Sequence, residues 1–88
     1  MNTAFKQTLK AKAHHLNPVI MIGSKGLTAS VIDETDITLN AHELIKIKIT
    51  GMDKNSRQLV VTTLCDQLHA KLVQIIGTIA IIYRKNND

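Results

Sequence analysis

Two glycines bracket a serine and a lysine at Gly23-Ser24-Lys25-Gly26. They lie between an apolar run, Val19–Ile22, and a stretch of helical spacing that opens at Thr28. A strand-to-helix junction of this kind leaves helix N-terminal amides unpaired and pointing outward. Those amides, with a helix dipole equivalent to about half a positive charge, attract phosphate. Glycine has no Cβ, so a nucleic-acid backbone can come close, and Lys25 adds a mobile point charge. The same glycines would equally serve a plain turn. On these four residues alone both readings stay open, and the turn is the commoner outcome. The pattern is not a Walker loop, because Leu27 and not lysine follows Gly26. Nor is it a dinucleotide fingerprint, since no glycine stands three residues after Gly26.

The other residues capable of chemistry are scattered. His14, His15, His42 and His69 show neither H-E-x-x-H nor C-x-x-C context, so no metal and no cofactor is expected. The single cysteine, Cys65, sits in the apolar stretch LVVTTLCDQL and reads as a buried, inert thiol. Asp33, Glu34 and Asp36 put negative charge in the early turns of one helix, and nothing marks them as a catalytic pair. With no nucleophile, metal site or cofactor loop in view, the chain is not expected to be an enzyme. Lys6 and Lys10, at i,i+4, could share a basic track with Lys46 and Lys48, which alternate on one strand face. Whether that track adjoins Lys25 is not legible from spacing. Phe5 and Tyr83 are the only aromatics and are assigned to the core. Recognition by base stacking is therefore not expected, and contacts to backbone and shape must dominate.

A chain of 88 residues with 44% apolar content makes one folded domain with a modest core. One cysteine permits no internal disulfide, which fits a reducing cytosol. No apolar run approaches the ~20 residues of a membrane span. MNTAFKQTLKAKAHHLNP lacks the apolar stretch of a signal peptide. A cytoplasmic, monomeric protein without a membrane role is expected. The net charge of +4 is segregated. Residues 1–32 carry Lys6, Lys10, Lys12 and Lys25 and no carboxylate. Residues 33–43 carry Asp33, Glu34, Asp36 and Glu43 and no Lys or Arg. A basic, segregated balance favours a polyanion partner.

These groups need elements to place them. Pro18 disfavours helix at Asn17, so a first helix over about 3–15 must stop short of it, with Thr3 as a possible cap. Its apolar stripe is Phe5, Leu9 and Ala13. Val19–Ile22 reads as a strand covered on both faces. Thr28 caps a second helix, about 28–41, with Val31, Ile32, Thr35 and Leu39 on one side. In residues 44–50, Ile45, Ile47 and Ile49 alternate with Lys46 and Lys48, which predicts a strand with one buried and one basic face. A third helix over about 54–69 carries Leu59, Val60, Thr63, Leu64 and Leu68. Residues 72–76 and 78–84 then form a hairpin about Gly77-Thr78. The sum is an α/β domain over residues 1–88, in the order α-β-α-β-α-β-β. Three helices pack on a mixed four-stranded sheet whose first two strands are parallel and whose last two are antiparallel.

Three blocks of this chain, HHLNPVIMIGSKGLT, HELIKIKI at 42–49 and QIIGTIAIIYR at 74–84, together resemble the CRM domain, whose free-standing bacterial form is YhbY-like. The likeness covers about residues 5–85 in one order. It implies a fold similar to the C-terminal domain of translation initiation factor three, with a KH-like GxxG loop formed by Gly23, Ser24, Lys25 and Gly26. It implies RNA as the partner. Bacterial members associate with precursors of the large ribosomal subunit, and plant members bind group II introns. By this likeness Lys46, Lys48 and Arg84 occupy basic positions of the family blocks, and Lys6 and Lys10 extend the field. The rival expectation is a small protein-interaction adaptor that uses its helix faces and binds no RNA. The chain departs from the family at Thr35, where members carry an apolar residue. It also closes at KNND, where some members carry a basic tail.

Overall fold

Three helices and four strands follow one another in the expected order in the computed structural model, which describes residues 1–86. The first helix, α1, spans Thr3–Ala13. Its cap is Asn2 and not Thr3: the Asn2 Oδ1 accepts the Phe5 N–H at 2.7 Å, so the helix begins one residue earlier than a threonine cap would allow. The chain then turns through His14 and His15, short of the extended approach to Pro18. There follow β1 (Pro18–Ile22), α2 (Ala29–Ala41), β2 (Leu44–Ile49), α3 (Lys54–Leu68), β3 (Lys71–Ile76) and β4 (Ile79–Tyr83).

The strands lie in the order β1-β2-β4-β3. The β1–β2 pair is parallel, and β2–β4 and β3–β4 are antiparallel. Ile76 faces Ile79, which leaves Gly77-Thr78 as the two-residue turn. Gly77 has a positive φ and Thr78 does not, the sign pattern of a type II′ turn.

Two apolar clusters sandwich the sheet. On one face Ile20, Ile22, Ile45, Ile47, Ile49, Ala80 and Ile82 meet Leu39 of α2 and Val61, Leu64 and Leu68 of α3. On the other, Leu9 and Ala13 of α1 bury Val73 and Ile81. This second cover is small. α1 lies over β2, β3 and β4 and leaves β1 bare, so the expectation of a doubly covered first strand fails: Val19 is 50% exposed and Met21 59%. β1 is an edge strand with one buried face. The stripe of α3 also differs from the expected one. Val61, Leu64, Cys65 and Leu68 point inward at i, i+3, i+4 and i+7, and Leu59 faces solvent.

Phe5 is exposed rather than buried, its ring edge-on to Tyr83 at 5.4 Å between centroids. Tyr83 does pack against the α1 cluster. Thr35 is fully buried, and its hydroxyl donates to Val31 O at 2.7 Å. That back-bond satisfies the one polar atom in the stripe, so helix α2 continues unbroken through it.

Candidate nucleic-acid interface

The chain leaves β1 at Ile22 and turns at once. Gly26 N–H donates to Gly23 O at 2.9 Å, and Gly26 takes φ +70°, which glycine alone adopts freely. Gly23 is different. Its φ lies outside the left-handed region, and a Cβ built on it would meet nothing within 4 Å. Nothing inside the fold requires a glycine there, and its open side faces outward. The second helix begins directly after. The Thr28 Oγ1 accepts the Val31 N–H at 3.2 Å, as expected of a cap, and the first intrahelical bond runs from Ile32 N–H to Thr28 O. The Ala29 and Ser30 amides precede that bond at the positive end of the helix.

The loop has a backstop that the sequence reading missed. Thr50 N–H donates to Ile22 O at 2.9 Å, which brings the turn after β2 beside the turn after β1. Gly51 has φ +76°, and a Cβ on it would stand 3.0 Å from Ser24 Cβ and 3.1 Å from Ser24 N. A glycine at the end of a strand parallel to β1 was the available clue.

The lysines come together on the α1 face of the sheet. Lys48 pairs with Met21, two residues before Gly23, and on its other side with Ile79. Lys46 lies opposite Ile81 on the same face. Lys10 and Lys46 line one cleft of about 230 Å³ with His14, Gln74, Ile76, Ile79 and Ile81. Lys6 sits one turn before Lys10 on α1 and is exposed. Lys10 and Lys46 thus share one cleft, Lys48 lies on the same sheet face and pairs with Met21 just before the Gly23–Gly26 loop, and Lys6 and Lys25 are both exposed.

Arg84 stands apart from these lysines. Its Nη1 donates to Asp36 Oδ1 at 2.7 Å and to Leu68 O at 2.9 Å. Its Nη2 donates to Asp36 O at 3.0 Å and Asn40 Oδ1 at 2.9 Å. The side chain is only 18% exposed. The guanidinium fastens the end of β4 to α2 and α3, with both terminal nitrogens committed to these acceptors. Asn86 continues the clasp, its N–H donating to Glu43 Oε2 and its Nδ2 to Asn40 O.

Charge is divided between the two sides of the sheet. α1 and the four strands contain no carboxylate. Asp33, Glu34, Asp36 and Asp66 are on α2 and α3, and Glu43 and Asp53 lie in the connections flanking β2. Asp53 caps α3, and the Ser56 backbone N–H, foremost among its partners, holds its carboxyl below the usual carboxylate range. Burial, followed by the charge of Asp66, pushes the Cys65 thiol up to about 11, which leaves almost no thiolate at neutral pH. Among the described residues no three His, Cys, Asp or Glu side chains gather to hold a metal, and no helix is long and apolar enough to cross a membrane.

Set beside known proteins, residues 1–84 match the CRS1 / YhbY (CRM) domain model. The chain belongs to the CRM domain family. An RNA-binding protein of Haemophilus influenzae is 44% identical over 88 residues, which cover 100% of this CRM domain chain and 89% of that protein. A probable RNA-binding protein of Pseudomonas aeruginosa is 42% identical over 81 residues, 92% of this chain and 78% of that one. The fold of this CRM domain superposes on the solution structure of a Staphylococcus aureus protein with a TM-score of 0.87. The two are 30% identical, and the match covers 100% of this chain and 92% of that one.

Proposed function

We propose that this CRM domain is a non-catalytic RNA-binding protein acting in the cytoplasm, as a monomer, on precursors of the large ribosomal subunit. One observation carries the RNA reading. The Gly23–Gly26 loop, at the start of a capped helix, follows two residues after Met21, which pairs with Lys48 on the sheet face that also carries Lys46, is bordered by Lys10 of α1, and holds no carboxylate. The names of the H. influenzae and P. aeruginosa relatives support it. The ribosomal target rests on the family resemblance. In this mechanism the loop amides and Lys25 grip phosphate, and the lysines of α1 and β2 hold the flanking backbone.

Filter binding to precursor ribosomal RNA across a salt series tests the reading. About four phosphate contacts on single-stranded RNA give a log–log slope of roughly −3. Lys25→Glu is expected to lower affinity about tenfold and to flatten that slope by nearly one contact. An unchanged affinity and slope would show that the loop does not hold the backbone.

Gly23→Ala is a finer probe. The position is open and its φ is ordinary, so the substitution should leave the melting temperature unchanged or slightly raised. RNA affinity should nevertheless fall, because the new methyl group stands where phosphate must approach. Equal affinity for RNA would make Gly23 part of a plain turn.

The adaptor reading has one observation in its favour. Ile37 on α2 and Leu59 on α3 are each 68% exposed on the outer helices. A gel shift with structured ribosomal RNA separates the two, since the adaptor leaves the RNA unshifted.

A further inference from the structure

The row of residues nearest the loop is open and, Lys48 apart, apolar. Register places Met21, Lys48, Ile79 and Ile76 side by side across all four strands on the α1 face. Met21 and Ile76 each leave 59% of their surface in solvent, and Ile79 is half-buried. Val19 extends the apolar surface along β1. Strand spacing makes the row roughly 14 Å long. Met21 lies on edge strand β1 and Ile76 on edge strand β3, with Ile79 of β4 between them, and aliphatic side chains gathered in water on one sheet face mark a surface that something covers. α1 leaves Met21 and Ile76 largely open, and its Lys10 and His14 line one cleft with Ile76 and Ile79.

The surroundings define the occupant. It must present apolar, flat surface to Met21, Ile79 and Ile76. It must also carry negative charge toward Lys10, Lys46 and Lys48, with no carboxylate on α1 or the strands to repel it. It must reach the Gly23–Gly26 loop, because Met21 is two residues from Gly23. An unpaired nucleotide has both properties in one unit, a planar base and a phosphate.

We infer that the Met21–Lys48–Ile79–Ile76 row is a base-docking platform for single-stranded RNA. Unstacked bases lie on the aliphatic row while the loop and lysines hold their phosphates. The inference rests on the RNA-binding reading above and adds to it where the bases go. The platform is aliphatic, so contact with it is tolerant of base identity. Gln74, in the adjoining cleft, is the one neutral amide placed to hydrogen-bond a base edge.

The experiment compares, by fluorescence anisotropy, an oligouridylate with an abasic ribose-phosphate oligomer of the same length, using the full chain. The parent protein is expected to bind the oligouridylate about tenfold tighter, the scale of one base face buried against aliphatic side chains. Met21→Thr with Ile76→Thr should erase that preference and leave the abasic affinity as it was. Both positions are exposed, and threonine keeps β propensity, so the fold should stand. The parent comparison needs no variant and decides by itself. Equal affinity for the two oligomers, with Lys25→Glu still weakening both, overturns the platform and leaves the RNA reading intact. No affinity for either oligomer overturns both. Self-association that the double variant abolishes, without any base preference, assigns the row to a second copy of the chain and overturns the platform.

Discussion

Arg84→Ala should lower the free energy of unfolding by about 3 kcal/mol. For a domain of this size that is a fall of roughly 12–24 °C in melting temperature. The ion pair to Asp36 is not the main reason, because the Asp36 side chain is 48% exposed and a solvent-screened pair is worth little. The larger part comes from the two carbonyls and the amide oxygen that the guanidinium also holds. Leu68 O lies in the last turn of α3, Asp36 O and Asn40 Oδ1 lie on α2, and one planar group joins both helices to the end of β4. Lysine presents a single point charge and cannot span those acceptors, so Arg84→Lys should recover less than half of the loss. Urea denaturation measures both variants. A loss below about 1 kcal/mol would show the clasp to be idle. At a temperature where it remains folded, Arg84→Lys should bind RNA as the parent does.

Gly51→Ala is expected to act on stability and binding together. An alanine at φ +76° costs about 1 kcal/mol for the left-handed backbone. Its Cβ must also push Ser24, whose Cβ, N and Cα would lie 3.0 to 3.2 Å away. The combined loss should reach about 2 kcal/mol. The displaced loop should also weaken RNA binding about tenfold, since grip on a phosphate depends on placement to within a fraction of an ångström. Gly77→Ala is the control. It has φ +57° and open space around it, so it carries the backbone cost alone and should leave RNA affinity unchanged. Similar affinities for the two variants would mean that Gly51 does not position the loop.

Much of this was legible where the information is local. The alternation of Ile45, Ile47 and Ile49 with two lysines fixed a strand and its buried side. Pro18, the Thr28 cap and Gly77-Thr78 marked boundaries through backbone preferences that need no tertiary contact. The misses depend on neighbours distant in sequence. Val19 and Met21 sit in an apolar run that could serve a central strand, and only the order β1-β2-β4-β3 makes them an edge. Leu59, Val60 and Val61 are consecutive, so their hydrophobicity could not choose which of them α3 turns inward. Arg84 takes its expected RNA role from the arginine that closes the family's YR block, and its partner Asp36, 48 residues away, is not legible from spacing. Of the site, the loop and its lysines were visible one by one. The gathering of Lys10, Lys46 and Lys48 required the register of β2 against β1 and β4, together with the seat of α1 on the sheet.

The division of charge across the sheet has a kinetic consequence. A molecule with lysines and no acids on α1 and its strands, and with Asp33, Glu34 and Asp36 and no cation on α2, carries a permanent dipole moment from one face of the sheet to the other. In the field of a polyanion such a molecule experiences a torque before it touches anything, and it turns its lysine-bearing face toward the charge. The fraction of collisions that succeed is therefore set at a distance, over about one Debye length, and it shrinks as salt shortens that length.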